Sequence, residues 1–245
     1  PVPIACNSSE EQVVHTALEL LRRDLQTVLS ATAKVETNTG TILIGTAGRS
    51  ELIDQSGVDT SVLKGKKQAF LLTVSPEGKL IVAGSDGHGT AYGILEISRL
   101  LGVSPWEWWA DVTPEKKKLF KLSSKFRSVQ SPSVEYRGIF INDEDWGLYR
   151  WSKNNYEKER GNFGPKTYAQ VCELLLRLQA NYLCPAMHDA SMAFHRIPEN
   201  RVVADRFAII MGSSHCEPLL FNTASEWKRD KMGEWDYINN KKGVD

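Results

Sequence analysis

The chain has 245 residues, 41% hydrophobic and 24% charged, the make-up of an ordinary globular protein with room for one large domain or two modest ones. Thirty basic residues balance thirty acidic ones, which argues against a dedicated nucleic-acid binder, and the one basic run, Lys116-Lys117-Lys118, reads as solvated surface. No apolar stretch approaches the roughly 20 residues that span a bilayer, and Cys6, Cys172, Cys184 and Cys216 form no C-x-x-C pair, which argues against structural zinc and a disulfide framework.

In chain order, "VPIAC" reads as a short strand. Ser8 or Ser9 is then expected to cap a helix with Glu10, Glu11 and Gln12 in its first turn. Val13, Val14, Ala17, Leu18, Leu21, Leu25, Val28 and Leu29 follow at helical spacing, with Arg22, Arg23 and Asp24 on the opposite face. "TILIGT" reads as a strand, and "AFLLTV", "SPEG" and "KLIVAG" as a β-hairpin. "GTAYGILEISRLLG" reads as a helix closed by Gly102. "SPWEWWADVTP" is bounded by Pro105 and Pro114, and "KLFKLSSKFRSVQSPSVEY" bridges onward with a further hairpin expected. Residues 1–126 thus form an α/β domain, a mixed sheet with helices.

The second part, residues 127–245, changes style. "YRGIFIN" is an apolar strand ending in Asn142-Asp143-Glu144-Asp145. The helix "KTYAQVCELLLRLQA" follows, with Val171, Leu174, Leu175 and Leu178 on one face. "NYLCPAM" is a second strand, ending at His188-Asp189. The helix "NRVVADRFA" precedes a third strand, "IIMG", ending at Ser213-Ser214-His215. Nearly continuous apolar strands mark a parallel sheet covered on both faces. Polar residues at their carboxyl ends are where a (β/α) barrel or an open α/β sheet builds its site. Three such units are too few to close a barrel of eight, so the chain reads as the front part of a longer barrel protein. It starts at Pro1 with neither initiator Met nor signal peptide, which leaves a removed leader and a trimmed piece both open.

Four stretches carry candidate chemistry. "GSDGHGTAYG" places Gly87, Gly89 and Gly93 between a strand and a helix, as in a dinucleotide-binding turn. That fingerprint also needs a second parallel strand ending in an acid about twenty residues on, where this chain has "WEWWADV". The glycines then serve tight turning and close packing. "INDEDW" gathers carboxylates at a strand end, suited to acid/base work or to sugar hydroxyls: Asn142, Asp143 and Glu144 are the candidates, and Asp145 is expected at the surface. "AMHDASMAFH" offers His188 and Asp189, with His195 further out. "GSSHCEP" lacks the last glycine of a serine elbow and the later P-C-x-x-C of a zinc deaminase, and nothing specific supports a Cys216 nucleophile. His215 and Glu217 remain, either contributing to a carbohydrate pocket or bracing a loop before Pro218.

Taken in order, "RGIFINDEDWGL", "LLLRLQANYLCPAMHDASMAF", "ADRFAIIMGSSHCEPLL" and "EWDYINNKK" resemble the front of the glycoside hydrolase family 115 α-glucuronidases. "IVAGSDGHGTAYGILEISRLLGVSPWEWWADV" is also similar to the domain preceding the barrel in family 67 α-glucuronidases and family 20 and 84 hexosaminidases. The resemblance implies a TIM-type (β/α)8 catalytic barrel. It also implies removal of glucuronic acid, often 4-O-methylated, from xylan side chains by an inverting mechanism with two carboxylates. One of them would be Glu144 or Asp143 and the other lies beyond residue 245, so the 245-residue piece alone is expected to be inactive. Asn142, Arg150, His188, Asp189, His215 and Glu217 are the implied substrate contacts. Many members have a Trp at the position of His188 and a His at that of Cys216. The resemblance implies no metal or cofactor, a glucuronoxylan substrate, no nucleic-acid or membrane partner, room for a homodimer of the full-length protein, and a secreted or periplasmic bacterial location. Another barrel glycosidase such as a β-N-acetylhexosaminidase, and a non-catalytic carbohydrate-binding protein, are the alternatives.

Overall fold

The computed structural model describes residues 1–142 and 144–245, with the backbone alone at Glu144. Contacts divide the chain into two units. The first is Pro1–Glu135 with Leu176–Gln179 and Arg206–Ala208; the second is Tyr136–Leu175 with Ala180–Asp205 and Ile209–Asp245. The division falls at 135/136 and not at 126/127 because the bridging segment forms a strand of the first sheet instead of a hairpin of its own.

In the first unit, strands β1 (Val2–Cys6), β2 (Ala33–Glu36), β3 (Ile42–Thr46), β4 (Phe70–Val74), β5 (Leu80–Gly84) and β6 (Arg127–Gln130) form one sheet in the order β2-β1-β3-β5-β4-β6. β2, β1, β3 and β5 run parallel, whereas β4 is antiparallel to both β5 and β6. The hairpin β4–β5 closes with Phe70 opposite Gly84 and Val74 opposite Leu80. Side chains alternate across the pleat, so Ala5, Leu43, Leu71, Ile81 and Ala83 share one core cluster with Ile53 of the short helix α2 (Glu51–Asp54). Helices α1 (Gln12–Leu29) and α3 (Gly87–Leu101) pack along each other. The α1 stripe Val13, Val14, Ala17, Leu18, Leu21, Leu25 and Val28 is buried, each larger side chain contributing about 1.5–3 kcal/mol.

Two details of α1 differ from the sequence reading. Neither Ser8 nor Ser9 caps it. Asn7 Oδ1 accepts from the Ser9 amide and hydroxyl at 2.9 and 2.8 Å, which fixes a turn, and the helix begins with Glu11 at the cap position without a side-chain bond. Glu10 is engaged elsewhere, accepting from the Thr46 amide at 2.9 Å and hydroxyl at 2.7 Å. Asp24 is not on the wet face either. It is buried against Arg177, both side chains 4% exposed, because the guanidinium approaches that side of the helix.

The glycine-rich turn before α3 is explained by packing. Asp86 caps the helix, its Oδ1 accepting from the Gly89 amide at 2.8 Å, while Oδ2 accepts from the Gln68 amide at 2.7 Å. A carboxylate of the chain itself thus takes the first-turn N–H that would otherwise meet an anion. A Cβ on Gly89 would lie 2.1 Å from the Ala69 carbonyl oxygen. Gly89→Ala is therefore expected to destabilise by about 1–3 kcal/mol through forced separation of α3 from β4. An unshifted urea midpoint would show that the helix moves aside without cost. Gly102, at φ 97°, closes α3.

In the second unit, β7 (Gly138–Phe140), β8 (Tyr182–Cys184) and β9 (Ile210–Met211) form a parallel sheet in sequence order. Helices α5 (Pro165–Arg177) and α6 (Pro198–Arg206) connect them. Between β7 and α5 stand two π-helical turns, Glu144–Leu148 and Ser152–Tyr156, around the single turn α4 (Tyr149–Trp151). Short helices α7 (Arg229–Met232) and α8 (Lys241–Val244) follow β9. The expected cover on both sheet faces is incomplete among the described residues: Ile139, Phe140 and Ile210 are 43%, 42% and 42% exposed.

The N-terminus of α5 is held by Glu157. This carboxylate, 1% exposed, accepts from the Gly164 amide at 2.7 Å, the Thr167 amide at 2.9 Å and the Thr167 hydroxyl at 2.6 Å. No helix of the described residues is long and apolar enough to cross a membrane.

Candidate functional site

The register of the second sheet sets its carboxyl ends side by side. Phe140 pairs with Cys184 and Leu183 with Met211, and the ladder continues through Ile141 N–H to Cys184 O at 3.0 Å and Gly212 N–H to Leu183 O at 2.8 Å. The polar residues that follow each strand therefore emerge along one edge.

At the first strand end Asn142 is exposed. Asp143 and the Glu144 side chain, expected to supply a carboxylate, lie outside the described residues. Asp145, expected at the surface, is partly exposed and also links two strand ends: its Oδ2 stands 3.1 Å from His188 Nδ1 of the second. Its main-chain oxygen accepts from Arg150 Nε at 2.9 Å. The helical turns carry Asp145, Trp146, Tyr149 and Arg150 onto the wall of a pocket of about 560 Å³, completed by Ala190. Insertions of π-helical geometry recur at functional sites, and here one fans aromatic and charged side chains over a single opening. Trp146 is 86% exposed. The sequence signal for it was the aromatic spacing in "EDWGLYRW", which carboxylate counting passes over.

At the second strand end the His188 carbonyl accepts from the Ser191 amide at 3.2 Å and hydroxyl at 3.1 Å, which folds the loop back. Asp189 is exposed. His195 faces away into a separate cluster, its Nε2 3.0 Å from Glu226 Oε2, with Arg196 at 3.4 Å from Oε1. Burial alone would raise the Glu226 carboxyl. The Asn222 amide, His195 and Arg196 outweigh it and hold the group below the usual carboxylate range.

The third strand end separates two neighbours that the sequence reading grouped. His215 is exposed, whereas Glu217 is buried. Glu217 Oε1 accepts from Asn222 Nδ2 at 3.1 Å, and the same amide group donates to Met187 O at 2.8 Å. Asn222 Oδ1 accepts from the Ala224 and Ser225 amides at 3.1 and 2.8 Å. Glu217 is thus a brace within the loop and not an open substrate contact, because a dry amide needs an acceptor there. Asn222, which clamps the second and third loops together, has no sequence signal beyond a polar residue in "FNTAS".

All four cysteines are free thiols. Burial pushes Cys172 up to about 12, and burial with the nearby Glu10 charge does the same for Cys6, so neither is a thiolate near neutrality. Cys184 is half-buried. Among the described residues no three His, Cys, Asp or Glu side chains converge as a metal site.

Two distant likenesses show the fold class, an α/β sheet unit followed by parallel strand–helix units. A GH138 enzyme targeting pectin rhamnogalacturonan II superimposes with TM-score 0.51 at 14% identity, over 87% of this chain and 24% of its own. A chitobiase from Flavobacterium johnsoniae gives 0.52 at 13% identity, over 91% and 33%. The family follows from nearer matches. Residues 129–245 match the model of glycosyl hydrolase family 115. The solved structure of a family GH115 4-O-methyl-α-glucuronidase with specificity for decorated arabinogalactans is 63% identical and superimposes with TM-score 0.93, over 100% of this chain and 32% of its own. Residues 129–245 thus fall within glycoside hydrolase family 115, and the chain spans about a third of the length of that solved relative. No curated protein matches it.

Proposed function

We propose that the protein carrying this chain is an α-glucuronidase that removes glucuronic acid, or its 4-O-methyl ether, from the side chains of a polysaccharide. The observation that carries the reading is 63% identity over the whole chain to a solved family 115 glucuronidase. The parallel order β7-β8-β9 supports the opening of a (β/α)8 barrel, whose site lies at the carboxyl ends of its strands. Inversion needs one carboxylic acid to protonate the leaving oxygen and a second carboxylate to activate water, roughly 6.5–9.5 Å apart. Glu144 or Asp143 is assigned one of these roles. Asn142, Arg150 and His215 are assigned to the substrate's carboxylate, which a guanidinium binds well through paired hydrogen bonds. His188, held by Asp145, and the exposed Asp189 complete the polar edge.

Decorated arabinogalactan is the substrate favoured by the relative, and glucuronoxylan is the second choice. A polymer of this size does not enter a cell intact, which supports a secreted or periplasmic location. A homodimer of the full-length protein rests on the family likeness alone.

The test is release of free glucuronic acid by the full-length protein. Arabinogalactan bearing glucuronic acid is expected to be cleaved, xylan less so, and the 245-residue chain alone is expected to release none. Cleavage of an N-acetylhexosaminide without release of glucuronic acid would replace this reading with the hexosaminidase one. Binding of the polymer without turnover would favour a carbohydrate-binding role.

A further inference from the structure

We infer that Glu226 is a positioning residue for the reaction: through Asn222 it sets the turn that carries His215, and His195 and Arg196 orient it from the loop after the second strand. The inference rests on the role given to His215 above and adds residues that this role leaves aside.

His215 is the second residue of a four-residue turn, closed by the Glu217 amide on the Ser214 carbonyl at 3.0 Å. The turn is held from behind. The Cys216 carbonyl accepts from the Thr223 amide at 2.7 Å and hydroxyl at 3.1 Å. The Glu217 carboxylate accepts from Asn222 Nδ2 at 3.1 Å. Asn222 is fully buried, and both ends of its side chain are engaged. Nδ2 also donates to the Met187 carbonyl at 2.8 Å, and Oδ1 accepts from the Ala224 and Ser225 amides. The side chain therefore cannot rotate without breaking bonds on two loops. A buried polar network satisfied in this way is rigid.

Glu226 fixes Asn222 in turn. The Asn222 amide donates to Oε2 at 2.8 Å, and the Glu226 amide donates back to the Asn222 carbonyl at 2.8 Å. The same carboxylate reaches the other loop: His195 Nε2 stands 3.0 Å from Oε2 and Arg196 Nη1 donates to Oε1 at 3.4 Å. Burial works to raise this carboxyl, and the Asn222 amide, His195 and Arg196 outweigh it, so the group is ionised near neutrality. Bonds to an ionised acceptor are roughly twice as strong as neutral ones. The contacts thus run without a gap from His195 and Arg196 through Glu226, Asn222 and Glu217 to the turn of His215. A displacement of about 1 Å in a substrate-holding group costs up to about a hundredfold in rate, even when its cause lies away from the chemistry.

The experiment measures kcat and KM of the full-length protein on arabinogalactan bearing glucuronic acid. It compares wild type, Glu226→Gln, His215→Ala and the double variant. Glutamine still accepts from the Asn222 amide but has no charge to set against His195 and Arg196. Glu226→Gln should lower kcat/KM about tenfold and His215→Ala about a hundredfold. The double variant should match His215→Ala within about twofold, because Glu226 acts through that residue. A brace that merely stabilises the fold would instead add its loss to that of His215. Glu226→Asp, which keeps the charge on a shorter arm, should recover part of the tenfold.

Unchanged kcat/KM in Glu226→Gln with wild type active, or additive losses in the double variant, would overturn this inference and leave the glucuronidase reading intact. Unchanged turnover in His215→Ala would remove that residue from the site and the inference with it. Failure of wild type to release glucuronic acid would instead strike the glucuronidase reading. Thermal melts identify any variant that does not fold. If Glu226→Gln is one, His195→Ala takes its place in the same cycle with about a threefold loss expected, and additivity or no loss there overturns the inference equally.

Discussion

Replacing Asp24 with Ala is expected to destabilise the first unit by about 3–5 kcal/mol, the usual cost of leaving one member of a buried ion pair alone. Arg177 Nη1 donates to Oδ2 at 2.9 Å and Nη2 to Oδ1 at 3.1 Å, a two-pronged contact with both side chains 4% exposed. The pair itself adds little net stability, because both charges had to leave water. The penalty falls on the half-pair, so the double variant Asp24→Leu with Arg177→Met should recover most of the loss. A double-mutant cycle from urea unfolding measures this directly. A single-variant loss below about 1 kcal/mol would mean that water reaches the guanidinium once the carboxylate is gone.

Glu157→Ala is the second large effect, about 3 kcal/mol, because it leaves buried donors at the start of α5 without an acceptor. The carboxylate serves the Gly164 and Thr167 amides and the Thr167 hydroxyl, and its charge meets the positive end of a 13-residue helix. Glu157→Gln keeps an acceptor but no charge, and should lose roughly half as much. Hydrogen exchange at Gly164 and Thr167 should quicken in Glu157→Ala well before the rest of the unit is affected. Equal protection in the variant and wild type would assign the helix start to other contacts.

Strands β1, β3, β4 and β5 and helices α1 and α3 were legible because each carries an unbroken apolar run or a long helical stripe. β2 was not: "AKVE" is four residues with one buried position, and it exists because β1 offers a free edge. β6 hid in a polar linker for the same reason, taking its register from β4. Asp24 shows the limit of periodicity. Its place on the helix was readable, whereas the arginine it meets is 153 positions away in sequence. At the second sheet, the strand ends were legible because apolar runs stop abruptly at polar residues. Which polar residue faces outward was not. His215 and Glu217 stand two positions apart, yet the loop exposes one and buries the other. Asp145 gains its partner only because the chain turns helically from Glu144, which brings it to His188.

The partly uncovered second sheet bears on how this chain behaves once purified. Ile139, Phe140 and Ile210 present apolar surface, as do Leu219, Trp235 and Ile238 in the segment after β9. A fluorescent dye that lights up on greasy patches should therefore glow with the natively packed chain, before any heating or acid. Dye emission, the customary sign of a loosened core, would report the surface of this natively packed 245-residue chain, and near-ultraviolet dichroism of its tryptophans is the measurement that distinguishes the two.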